Sequence, residues 1–279
     1  MKKLVASLLA IVMACSILTG CGSSANGVKV VEIDLTQEEY AFGVDKTQPE
    51  LLEKANAFID QIMADGTFEA ICNNYFGDGT PVPVKSAALD ETKDQLVVAT
   101  NAAFEPFEYM SGEDYVGIDM EIAAALAEYL GQELVIINME FDAVCLSVGQ
   151  QKCDIAMAGL TVREDREEYV SFTKSYYNAS QKLIVMADDK TFDACKTAAD
   201  VEAILNAMGS DVKIGTQNGT TGQFYVEGDE DWGFAGYPVT CVGYKNGSQA
   251  VQDMINGNIK FVVIDSAPAA AITAAMNEF

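Results

Sequence analysis

The chain has 279 residues, enough for one large domain or two small ones, and its 49% hydrophobic and 21% charged content is an ordinary globular balance. Its formal net charge of −25 excludes nucleic acid and anionic lipid surfaces as attractive partners, since both would repel it. There is no histidine, so the commonest general base and the commonest metal ligand are missing, and neither metal nor cofactor is expected.

Lys2 and Lys3 precede an apolar run from Leu4 to Leu18 that is too short to span a bilayer. Leu-Thr-Gly-Cys follows at 18–21. A charged start, an apolar stretch and small residues before a cleavage point mark 1–20 as a secretory signal. A cysteine directly after Leu-Thr-Gly resembles a bacterial lipobox, which would make Cys21 the acylated first residue of the mature chain and 21–27 a short tether. Loss of 1–20 removes two lysines and deepens the formal charge from −25 to −27. Lipid would then hold an acidic protein on the outer face of a cell membrane, as expected of a Gram-positive bacterium. Export permits disulfides, but Cys72, Cys145, Cys153, Cys195 and Cys241 are odd in number and match no zinc spacing. Free thiols are expected.

Beyond the tether, VKVVEIDL (28–35) and EEYAFGVDK (38–46) have the character of strands. Pro49 suits a first helical position, and Leu51, Leu52, Ala55, Phe58, Ile59 and Ile62 recur at helical spacing up to the stop at Gly66. A second helix, from Thr67 to Tyr75, follows and stops at Gly77. Residues 77–92 carry turn residues without a period and predict a linker. From there strands and helices alternate. LVVATN (96–101) is a strand, and Asp119 is a candidate cap for the helix ending at Gly131. ELVIINM (133–139) is a strand, and Asp142 is a candidate cap for the next helix. CDIAMAGL (153–160) is a strand, with Thr161 and Glu164 spaced as a capping box. QKLIVMA (181–187) is extended, and helix 197–208 leads to strand VKIGTQ (212–217). NGTTGQFYV starts a helix. TCVGY, a helix near 248–255, KFVVID (260–265) and a small-residue helix complete the pattern. Alternation of this kind predicts an α/β fold with mostly parallel sheets, whose ligands sit at the carboxyl ends of strands.

Four strand ends carry suggestive residues. TNAAFEPFEY places phenylalanines just past a strand. AGLTVREDR offers Thr161 and Arg166; the guanidinium suits a carboxylate bidentately, or else forms a surface ion pair within EDREE. QNGTTGQF supplies glycine and threonine at a helix start but lacks the lysine of a Walker loop. Asp265 ends the apolar strand FVVID, where it suits an ammonium group or caps a helix. Together these make a receptor for a zwitterion, with Arg166 and N–H groups near Thr161 on a carboxylate and Asp265 on an ammonium.

NAAFEPFEY…VGIDMEIAAALAEYLG, MEFDAV, IAMAGLTVREDREEYVSFTKSYY, IGTQNGTTG and FVVIDSAPA resemble, in this order, the polar amino-acid binding proteins of ABC importers, the family 3 solute-binding proteins. The resemblance implies a periplasmic-binding-protein-like II fold, with two α/β lobes joined by a two-strand hinge. It implies a polar amino acid as ligand, the transmembrane subunits of an ABC permease as partner, and a monomer. By the same resemblance Phe104 and Phe141 would sandwich the ligand side chain, and Ala158 and Gly159 would offer backbone contacts. Thr161, Arg166, Thr220 and Thr221 would hold the carboxylate and amino groups, with Asp265 on the ammonium. Asn101 and Gln217 would read the side chain. Asn101 stands where receptors for basic amino acids commonly have an acid, so the resemblance implies no strict lysine or arginine preference.

The order departs from the family. Residues 38–77 resemble its C-terminal end yet precede everything else, which suggests a circular permutation with 77–92 as the joint. The expected map is lobe 1 at 46–181, lobe 2 at 28–40 plus 186–279, and hinge strands at 40–46 and 181–187. An enzyme of the same fold, a cyclohexadienyl dehydratase-like lyase, is the alternative function, though no activated nucleophile pair is visible. A sensory or adhesion lipoprotein without a transporter is a third.

Overall fold

The structure, a computed structural model, describes residues 27–278; the expected signal 1–20, Cys21 and nearly all of the tether 21–27 lie outside the described residues. The chain opens with three short strands, β1 (Val28–Val31), β2 (Glu38–Tyr40) and β3 (Gly43–Asp45), followed by helices α1 (Pro49–Asp65) and α2 (Thr67–Phe76). Strand β4 (Gln95–Thr100) leads into a three-stranded meander, β5 (Ala103–Phe104), β6 (Glu108–Ser111) and β7 (Asp114–Val116). Next come α3 (Ile118–Leu130), β8 (Glu133–Asn138), a 3₁₀ turn (Phe141–Ala143), α4 (Val144–Gly149), β9 (Ile155–Ala156) and α5 (Glu164–Glu167). The chain continues through β10 (Val170–Phe172), β11 (Tyr177–Ala179), β12 (Gln181–Met186), α6 (Ala198–Asn206), β13 (Lys213–Gln217) and α7 (Thr221–Glu227). Strand β14 (Thr240–Tyr244), α8 (Gly247–Ile255), β15 (Phe261–Asp265) and α9 (Ser266–Asn277) end it.

Two five-stranded sheets define two lobes. The first has the order β10-β3-β9-β4-β8 and the second β1-β12-β15-β13-β14. Strand β15 shows why the second is stable. Its run Phe-Val-Val-Ile is buried throughout, as a strand covered on both faces must be. Phe261 and Val263 join Val201, Leu205, Tyr225 and Val226 on one face. Val262 and Ile264 join Ala250, Val251, Met254 and Ile272 on the other. Each of the Val, Leu, Ile, Phe and Met side chains among them contributes roughly 1.5–3 kcal/mol of transfer free energy. In the first lobe the helical spacing noted in α1 buries Ala55, Phe58, Ile59 and Ile62, and Pro49 opens the helix.

The crossing between lobes is a separate two-stranded sheet, β2 against β11, with Tyr177 opposite Tyr40 and Ala179 opposite Glu38. This corrects the expected hinge at 40–46 and 181–187. Strand β3 pairs with β9 and β10 inside the first lobe, and β12 pairs with β1 and β15 inside the second. An extended apolar run does not reveal which sheet it joins, so the crossing was displaced by a few residues.

Other expectations are refined. The strand at 28–35 ends at Val31, and that at 153–160 shrinks to Ile155–Ala156. Residues 77–92 are a largely exposed strap pinned at a few points. Val84 is buried and bridges Tyr115, the N–H of Ala87 donates to Leu134, and the N–H of Val82 donates to Glu121. Asp142 makes no side-chain cap. Helix α6 carries the capping box that the 197–208 helix needed, between Thr197 and Asp200. All five cysteines within the described residues are free, with Cys145 and Cys153 buried. Finally, the first and last described elements touch: the N–H of Val28 donates to Asn277 Oδ1, and Asn277 Nδ2 donates to the Val28 carbonyl, both at 2.9 Å.

Candidate functional site: the interlobe cleft

Strand ends supply the cleft. Asn101 follows β4, Ala158 to Thr161 follow β9, Gln217 ends β13 and Asp265 ends β15, the position expected of a ligand site in a parallel sheet. The lobes meet there through direct bonds. Gln217 Nε2 donates to Asn101 Oδ1 at 3.0 Å. Arg166 is buried, donating from Nη1 to the Thr161 carbonyl at 2.8 Å and from Nη2 to the Gly219 carbonyl of the other lobe at 3.1 Å. Its guanidinium lies 5.2 Å from the Phe141 ring centroid. The surface ion pair within EDREE is therefore not what Arg166 forms.

Asp265 is equally enclosed. The Tyr40 hydroxyl donates to Asp265 Oδ1 at 2.5 Å, and the carboxylate makes no cap bond to α9. Beside it stands Glu38, which accepts from Thr36, from Gln181 Nε2 and from Thr161 Oγ1 at 2.7 Å. The expected Thr161–Glu164 capping box is thus absent, and α5 starts after Arg163 without a side-chain cap. The hydroxyl of Thr161 is drawn to a buried carboxylate, a stronger acceptor than a helix end. Thr220 also differs from expectation: its hydroxyl turns back onto the Gln217 carbonyl at 2.8 Å. Gln217 Oε1 and Thr221 Oγ1, by contrast, are buried and have no hydrogen-bond partner among the described residues.

Glycine shapes two approaches. Gly159 has φ 54°, and a Cβ there would lie 3.0 Å from the Phe104 ring. Its N–H donates to Asp119 Oδ2 at 2.9 Å, so this expected backbone contact is already used. Asp119 is no cap for α3, because Gly117 holds that position; it sits fully buried in the first turn and also accepts from the Tyr176 hydroxyl at 2.6 Å. Gly219 has φ 73°, a left-handed backbone that strains any larger residue, and its Cβ position lies 3.3 Å from Asp142 of the facing lobe.

Burial governs the charges. It pushes the Asp265 carboxyl up to about 7, with the charge of Glu38 adding to the rise. Burial likewise pushes Asp119 up to about 7, against the Gly159 and Tyr176 hydrogen bonds that favour its ionised form. Glu108, fully buried with both oxygens unpartnered among the described residues, is pushed well up by burial and then by Asp119 and Asp265. Burial lowers Arg166 from its ordinary range. The enclosed carboxylic groups Glu38, Glu108, Asp119 and Asp265 thus outnumber Arg166. Within the described residues, no group of three or more His, Cys, Asp or Glu is placed to hold a metal ion.

Sequence reasoning missed Glu38, Tyr40 and Tyr176. A signal existed for the first pair: on a strand, residues two apart share a face, and the order Glu38-Glu39-Tyr40 puts an acid and a phenol side by side.

Residues 96–267 match the family described as bacterial extracellular solute-binding proteins, family 3. ABC transporter arginine-binding protein 1 of Escherichia coli is 30% identical over 175 residues, which is 62% of this chain and 64% of that one. The arginine-binding extracellular protein ArtP of Bacillus subtilis is 32% identical over 37% of this chain and 40% of its own length. The chain therefore spans less than two thirds of the length of these relatives. Among solved structures, holo ArgBP from T. maritima superposes with a TM-score of 0.55 at 30% identity, over 68% of this chain and 77% of that one. The ancestral amino acid-binding protein AncCDT-1, a precursor of cyclohexadienyl dehydratase, gives 0.55 at 28% identity, over 66% and 74%. With the family match covering more than half of the chain and the two-lobe α/β fold shared, this protein belongs to the family 3 bacterial extracellular solute-binding proteins.

Proposed function

We propose that the protein is an extracytoplasmic receptor that captures a polar amino acid between its lobes and presents it to an ABC permease. One observation carries this reading: a buried guanidinium, Arg166, and a buried carboxylate, Asp265, reach the same cleft from opposite lobes. An α-amino acid carries the complementary pair of charges. Contact with both lobes favours the closed arrangement, which is how a ligand shifts such an equilibrium. Because Asp265 and Glu38 are enclosed side by side at the site, it suits neutral or cationic side chains over acidic ones, which would add a further carboxylate there. The Asn101–Gln217 amide pair, the unpartnered Gln217 Oε1 and Thr221 Oγ1 are the groups left to read the rest. Named relatives that bind arginine or histidine support the same class.

Calorimetry against L-arginine, L-glutamine, L-histidine and L-glutamate tests this. At least one of the first three should bind and L-glutamate should not. Arg166→Ala should weaken the affinity about ten-fold or more, since a charge-assisted bidentate pair contributes about 1.5–3 kcal/mol. Unchanged affinity in that variant would sink the assignment. The dehydratase alternative gains support only from turnover of a cyclic carboxylic acid.

The reading includes an acyl anchor on Cys21. Cys21→Ala should abolish incorporation of labelled fatty acid into the protein, and unchanged labelling counts against the anchor. It also includes a permuted order. The family match begins at residue 96, while the segment before it contributes strands to both lobes, and Val28 is bonded to Asn277.

A further inference from the structure

The chain contains only two arginines, Arg163 and Arg166, and both reach across the cleft. Arg166 belongs to the ligand site. Arg163 does not, yet its side chain is only 3% exposed. It leaves the first lobe on the loop after Thr161 and enters a socket built entirely by the second. Its guanidinium stands 4.0 Å from the Phe224 ring centroid and 5.1 Å from that of Trp232. Nη2 donates to Asp229 Oδ2 at 2.8 Å, and Nε donates to Asp165 Oδ1 of its own lobe at 2.8 Å. The socket is preformed on its own lobe. Asp229 Oδ1 accepts the N–H groups of Asp231 and Trp232, Asp229 pairs with Phe234, and Trp232 packs on Phe234 at 5.5 Å. When the lobes part, Arg163 must leave both aromatic rings and the carboxylate together.

We propose that Arg163 is a positioning residue, an interlobe latch that holds the closed form and sets how slowly bound amino acid escapes without touching it. The proposal rests on the amino-acid reading of the cleft, but its mechanics are separable. Guanidinium fits this socket better than ammonium. It is planar, stacks on aromatic faces and keeps its charge when desolvated. The contact forms only on closure, so its loss falls on dissociation and leaves association nearly untouched.

Trp232 is the single tryptophan, so its emission reports the latch directly. Arg163→Ala should raise the dissociation rate of L-arginine about ten-fold or more, as a coupling of ordinary size requires, and shift Trp232 emission to the red. Arg163→Lys should recover part of both effects. In protein without added amino acid, Arg163→Ala should enlarge the radius of gyration measured by small-angle X-ray scattering. A dissociation rate, emission and radius all equal to those of the wild type would overturn the latch. If L-arginine binds neither protein, the amino-acid reading fails by itself, and scattering and emission still decide the latch. Should Arg163→Ala fail to fold, Asp229→Asn removes the partner charge from the other lobe and keeps the amide oxygen that accepts the Asp231 and Trp232 N–H groups. Faster dissociation or a red-shifted Trp232 in that variant supports the latch; wild-type values of both overturn it.

Discussion

Asp265 is ionisable near neutrality because the protein encloses it beside Glu38. Raised by burial and by the charge of Glu38, the Asp265 carboxyl holds its proton to higher pH than an exposed carboxylate, and an arriving ammonium group favours its ionised form. Binding therefore releases a proton. The sign follows from linkage: affinity rises with pH until the free carboxyl is fully ionised, and falls as pH drops below about 7, with a limiting slope of about ten-fold per unit. Calorimetry between pH 5.5 and 8 should show this dependence, and Asp265→Asn should weaken binding and flatten the profile. Affinity independent of pH would mean that Asp265 does not meet the ammonium. Arg166 and Asp265 were legible as residues, since an arginine in a chain with only two of them and an acid ending an apolar strand stand out. Glu38, Tyr40, Asp119 and Arg163 were not. Their roles depend on which residue from a distant part of the chain faces them: Glu38 on Thr161, Asp119 on Gly159, Arg163 on Asp229.

Among the elements, helices with a clear 3.6-residue period were placed well, because amphipathicity is local. The α1 stripe is an example. Strand membership was harder. Segments β2 and β3 lie two residues apart, yet one belongs to the crossing sheet and the other to the first lobe. The N-terminal pair α1 and α2 is fixed to the rest by Glu121, which accepts from Asn74, from the Tyr75 hydroxyl at 2.6 Å and from the Val82 N–H. Tyr75 in turn accepts the Gly117 N–H, tying α2 to the start of α3. These bonds do not depend on which end of the chain the helices come from. A chain reordered to run from Thr80 to Asn277, then directly from Val28 to Gly79, keeps every one of these bonds and should fold cooperatively with the wild-type affinity for L-arginine or L-glutamine within a few-fold. Loss of the cooperative melt in that chain would count against the permutation reading, since the Val28–Asn277 contact would then not mark a joinable break.

At the scale of the whole molecule, the crossing sheet leaves two covalent passages between lobes, and everything else that joins them is non-covalent and reversible. Arg166 on Gly219, Gln217 on Asn101, Arg163 on Asp229 and Lys245 on Glu140 all span the gap. That is the geometry of hinge closure, in which contacts far apart in sequence form together. The sequence by itself determined the α/β class and put Asn101, Thr161, Gln217 and Asp265 just at or past strand ends, on which the proposed zwitterion site rests. It could do so because periodicity and strand-end chemistry are local properties. Only the tertiary structure decided which strands cross between lobes, which carboxylates are buried together and where Arg163 goes. Those outcomes are set by long-range packing and desolvation, and neither is written in the spacing of neighbouring residues.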